Sequence, residues 1–146
     1  MGALLIAALL TIVPHFPLRA AVISHQADLA AQADHAAASH GIPVAILVAV
    51  GFCETHLGLD RGEGGNWGAP IDRLHRRTPG TAENAAGALL NSYNRCGHTW
   101  RGGVSGFRSG LCVIPPGTPS AGYPAMVLGL ANRLAALAGH VEGPFR

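Results

Sequence analysis

Glu54 is the residue whose type and setting point most directly to chemistry. It closes the apolar stretch Ile42-Pro43-Val44-Ala45-Ile46-Leu47-Val48-Ala49-Val50-Gly51-Phe52-Cys53. Acidic side chains seldom sit in such company unless exposed at a helix end or used for a reaction. Apolar walls keep a carboxyl protonated to higher pH, because desolvation disfavours the anion. The negative end of a helix dipole works in the same direction. A carboxylic acid that donates a proton near neutrality is what glycoside cleavage needs. The plain alternative is a helix-end carboxyl reaching solvent.

Other polar groups give weaker signals. Asp60, Glu63 and Asp72 are the carboxylates downstream that could act as a second acid or base. Trp67 and Asn66 stand in the middle of a Gly-rich run. There they can line a cleft, or Trp67 can pack under the loop. Cys53-x-x-His56 and Cys96-x-His98 have no zinc-finger spacing, and no His-Glu-x-x-His is present, so no metal is expected. There is no P-loop, no Gly-x-Gly-x-x-Gly after a strand and no Gly-x-Ser-x-Gly elbow, so no nucleotide cofactor is expected. Arg73, Arg76 and Arg77 form a short basic cluster that reads first as a solvated face.

The elements that must hold these residues read as helices. A helix is expected over 24–39, with Ser24 as cap and Gly41 as stop. The next starts at Pro43 and runs to about His56 or Leu57, with Gly58 ending it. Its apolar residues go all round, so it should be the buried central helix. Residues 58–80 carry too many Gly and Pro for a long helix. Thr81 should start a helix that runs through Tyr93. Trp100, Val104 and Phe107, at i, i+4 and i+7, suggest a short one. The last runs from Pro124 to about Ala138. No strand-like alternation is convincing, so the fold class is mainly α.

At 146 residues the chain is long enough for one core, and no second domain or repeat is visible. The net charge is +2 and every basic residue is Arg, too weak an excess for a nucleic-acid footprint. Residues 1–22 begin with an apolar run, Met1 to Val13, that is too short for an ordinary membrane span. It fits a signal peptide, with Ala20-Ala21 as a cleavage point, although no Lys or Arg precedes it. Otherwise it is a hydrophobic helix packing on a partner or membrane. Residues 23–146 are then the domain. Pairing Cys96 with Cys112 would fit an oxidising compartment and stabilise by about 3 kcal/mol, with Cys53 left as a buried free thiol. Three unpaired thiols are the alternative.

The order of parts resembles a lysozyme-like lytic transglycosylase domain of the soluble transglycosylase and goose-type lysozyme group. Residues 42–55 are similar to that group's catalytic helix, whose Glu is followed by Ser or Thr, here Thr55. Asn84-Ala85-Ala86-Gly87-Ala88-Leu89-Leu90 is similar to its next core helix, and Thr118-Pro119-Ser120-Ala121-Gly122-Tyr123 to the entry of its last. Phe107-Arg108-Ser109-Gly110 stands where the group has Tyr-Asn-Ala-Gly, and Gly65-Asn66-Trp67-Gly68-Ala69 replaces its Gly-Leu-Met-Gln loop. That loop also resembles the Gly loop of flagellar-type glucosaminidases. The resemblance covers roughly residues 25–140. It implies a Gly-rich active-site loop and Glu54 as acid and base on the MurNAc–GlcNAc bond. Substrate contacts would come from Thr55, Asn66, Trp67, Phe107 and Tyr123. The implied partner is peptidoglycan, outside the cytoplasm or on a virion. Membrane contact is expected only through an uncleaved N-terminal segment. The alternative function is an inactive lysozyme-like module for glycan binding or envelope or virion assembly.

Overall fold

The computed structural model describes residues 1–60, 67–68, 81–139 and 144–146. Seven helices are found there: α1 (Gly2–Ile12), α2 (Arg19–Ser24), α3 (Gln26–His40), α4 (Val44–Thr55), α5 (Ala82–Arg95), α6 (Trp100–Ser109) and α7 (Tyr123–Leu137). No strand occurs among the described residues. The mainly helical class expected from the sequence holds.

Helix α4 is the centre. Residues 45–51 are all buried, as an apolar surface on every side requires. It packs against α1, α3, α5 and α7. Its end differs from expectation. The left-handed turn begins at His56, at φ 48°, two residues before Gly58, and runs through Leu57 at φ 62° to Gly58 at φ 79°. Side-chain-bearing residues reach that region at a cost of about 1–2 kcal/mol each. The Leu57 side chain is buried, and its N–H donates to the Gly51 carbonyl at 2.9 Å.

The apolar N-terminal run is a helix packed within the fold. Leu5, Ile6 and Leu9 of α1 are fully buried, and α1 contacts α3, α4 and α7. Its entry lies so close to α3 that a Cβ on Gly2 would overlap the Ala30 carbonyl. The Gly2 N–H donates to Asp34 Oδ1 at 2.7 Å. No helix among the described residues is long and apolar enough to cross a membrane.

Ser24 does not cap a helix. It is the last residue of α2, so its backbone is helical where a cap needs an extended one, and α3 begins after His25. Gly41 stops α3 in the left-handed conformation, as expected. Thr81 accepts from the Asn84 N–H and caps α5, and Thr99 caps α6 through the Gly102 N–H at 3.1 Å. Cys96 and Cys112 form the expected disulfide, with Cα atoms 5.2 Å apart. It ties the end of α5 to the segment after α6. Cys53 is free and partly buried.

Candidate functional site

The site forms where α4, α6 and α7 meet around Glu54. Gly51 and Glu54 are three residues apart on α4, so they lie on one face of the helix. Trp67 and Gly68 lie on that face. The Trp67 indole rests across Gly51, where a Cβ would come within 3.0 Å of Cδ2 and 3.1 Å of Cζ3. Gly68, at φ 93°, brings its backbone against Glu54, and a side chain there would overlap Glu54 Cβ and Cγ. Only glycine tolerates both that φ and that approach. The Glu54 side chain is left 12% exposed.

Arg108, in the last turn of α6, closes the open side. Its Nη1 donates to Glu54 Oε2 at 3.0 Å and to Oε1 at 3.3 Å. Its guanidinium carbon lies 5.1 Å from the Tyr123 ring centroid, a cation–π contact. Tyr123 starts α7 and is buried. Its hydroxyl has no hydrogen bond of ordinary geometry. Burial is the first cause that raises its pKa well above the usual tyrosine value, followed by the neighbouring Glu54, with Arg108 opposing. Cys53, beside Glu54, is pushed up to about 11 by burial and then by the Glu54 charge. The apolar-wall picture of Glu54 therefore needs one addition. The carboxylate has a cation in direct contact.

The other expected site residues fall as follows. Thr55 is buried. Its hydroxyl accepts from the Gly58 N–H at 2.9 Å and approaches the Gly51 carbonyl at 3.5 Å, so it closes the end of α4. Trp67 is buried completely against Gly51 of α4, and its indole N–H has no partner among the described residues. Phe107 is buried in the core. Asn66 lies outside the described residues, as do Glu63, Asp72, Arg73, Arg76, Arg77 and the rest of the Gly-rich segment. Asp60 Oδ1 accepts from His56 Nδ1 at 2.7 Å in the tautomer that carries its proton there, and Phe16 stacks on the same imidazole at 5.7 Å. Among the described residues no group of three or more His, Cys, Asp and Glu could hold a metal. Cys96 is in any case committed to Cys112.

Sequence reasoning passed over Arg108 as the partner of Glu54. The signal present was a cation directly after Phe107, where the resembled motif has an amide. No family model, curated protein or solved structure matches the chain.

Chemically, the site is a shielded carboxylate held by one guanidinium fork that is itself half-exposed, at 44%. Swinging Arg108 aside would open Glu54 toward solvent with the Tyr123 ring beneath.

Proposed function

We propose that the chain is a lysozyme-like, peptidoglycan-cleaving glycosidase, a lytic transglycosylase or muramidase, with Glu54 as its acid and base. The observation that carries this reading is the setting of Glu54. It is a largely buried carboxylate at the end of the central helix, boxed by Gly68 and Tyr123 and closed by one half-exposed arginine. In the reaction Glu54 protonates the leaving glycosidic oxygen, and an oxocarbenium-like sugar forms. The Glu54 carboxylate then takes the proton from the muramic acid C6 hydroxyl. That oxygen attacks C1 and leaves a 1,6-anhydro end. This route needs one protein carboxylate. The hydrolytic route needs a second on the far face of the sugar, and Asp60 is already engaged with His56. Glycan strands outside the cytoplasm, or met by a virion, are the partner. The disulfide is the kind of bond that persists in such oxidising surroundings.

Zymography in a peptidoglycan gel tests this directly. Clearing by the wild type and none by Glu54→Gln supports it, and anhydro rather than hydrated muropeptides assigns the transglycosylase outcome. A folded wild-type protein that gives no clearing overturns it.

One observation favours a second reading. The Glu54–Arg108 pair closes the carboxylate off in the resting structure, as suits a silent glycan-binding or assembly module. That module would sediment with peptidoglycan sacculi, and Glu54→Gln would bind them as well as the wild type does.

A further inference from the structure

Arg108 has a second setting besides Glu54. A pocket of about 520 Å³ lies between the last turns of α5 and α6, lined in part by Asn91, Ser92, Arg95, Phe107, Arg108 and Ser109. Among the described residues two arginines and no carboxylate line it. The Arg95 side chain makes no ion pair or hydrogen bond among the described residues. Its guanidinium runs along Gly106, where a Cβ would come within 3.1 Å of Nη2. The bare backbone at Gly106 therefore leaves the room that Arg95 fills. The disulfide begins one residue after Arg95 and anchors that end of α5. Arg108 uses only Nη1 on Glu54, so its Nε and Nη2 have no partner among the described residues.

Two guanidinium groups with unused donors at the rim of one acid-free pocket fit a carboxylate, which each can grip with paired N–H donors. Such a ligand competes with Glu54 for Arg108. We propose that this pocket receives a carboxylate borne by the glycan substrate, and that its arrival draws Arg108 away from Glu54. Resting on the glycosidase reading, the inference makes Arg95 a substrate-binding residue and Arg108 the link between an acidic substituent and the catalytic group. Neutral chitin-type glycans, which lack that carboxylate, leave the Glu54–Arg108 pair closed. The carboxylate has two chemical sources, the lactyl group of muramic acid and the stem peptide attached to it.

The test is a titration of the full chain followed by 15N–1H spectra, with three probes: N-acetylmuramic acid, muramyl dipeptide and N-acetylglucosamine. The expected result is movement of the Gly106, Ser109 and Gly110 amide signals with one or both acidic probes and none with N-acetylglucosamine. Response to the first probe assigns the lactyl carboxylate, and response to muramyl dipeptide alone assigns the peptide one. Arg95→Gln weakens the responding probe roughly fivefold, Arg95→Lys by less, and raising salt weakens it further. Arg95 is exposed, so the variants fold. Equal movement with N-acetylglucosamine, or unchanged affinity in Arg95→Gln, overturns the proposal. The readout needs no turnover. Carboxylate binding without gel clearing sinks the enzyme and leaves the pocket, while clearing without a carboxylate response does the reverse.

Discussion

Replacing Gly51 by alanine tests whether the wall of the site is built as described, with Gly129 as the control. Both glycines lie inside helices, α4 and α7. An alanine there is favoured over glycine by about 1 kcal/mol from backbone propensity alone. At Gly129 a Cβ meets nothing within 4 Å, so Gly129→Ala should stabilise by about 0.5–1 kcal/mol. At Gly51 the same methyl overlaps the Trp67 ring. That indole is completely buried and has no free direction in which to tilt. Overpacking of this kind costs about 1–3 kcal/mol. Subtracting the propensity gain leaves Gly51→Ala destabilised by up to about 2 kcal/mol. The two variants should therefore differ by roughly 1–3 kcal/mol, or on the order of 3–12 °C in Tm for a chain of this size. Urea and thermal unfolding followed by far-UV circular dichroism measure this without relying on tryptophan emission. Gel clearing should fall in parallel, because Gly68 follows Trp67 directly and lies on Glu54. If Gly51→Ala stabilises as much as Gly129→Ala, Trp67 does not rest on α4 and the floor of the site is wrongly drawn.

Two further outcomes follow from burial. Leu9→Ala removes a fully buried side chain of α1 and should cost about 2–5 kcal/mol in a urea titration; a protein lacking residues 1–13 that melts at the wild-type temperature would show that α1 adds nothing to the core. Cys53, with its pKa raised from 9.0 to about 11, should react with iodoacetamide at pH 8 roughly 100-fold more slowly than an ordinary thiol, from thiolate fraction alone. Between those values the folded chain holds a proton that the unfolded chain has lost. The contribution to stability is thus full below pH 9 and is lost as pH rises through about 11, which unfolding curves of wild type and Cys53→Ala would reveal as converging pH profiles.

What the sequence disclosed was local. The all-round apolar character of α4, the Gly41 stop, the Thr81 cap and the opening of α7 at Pro124, one residue inside its start at Tyr123, each depend on residues within a turn or two, and each appears in the structure. The six-residue α2 has no comparable signal. It is held by the burial of Val22, a tertiary fact, and missing it also misplaced the Ser24 cap. The surroundings of Glu54 were hidden for the same reason. Arg108 is 54 residues away in the chain, and the seating of Trp67 on Gly51 is a tertiary contact with no local signal. Patterning could place Glu54 at the end of a buried helix, but not the cation across from it.

The energetics of that contact bear on why it exists. With Arg108 nearly half-exposed, the pair contributes at most about 1 kcal/mol. Apolar residues of similar size in such a place are commonly neutral or stabilising. Immediately beyond Glu54, His56 and Leu57 hold positive φ, at about 1–2 kcal/mol each. Within three residues, then, the chain keeps a carboxylate of little structural worth and a turn that opposes folding. The pair adds little to stability, and the positive-φ turn directly after the helix subtracts from it. Strain and poorly rewarded charge gather where a side chain is kept for something other than folding. That is the physical ground for reading Glu54 as a reacting group and Arg108 as the residue that guards it.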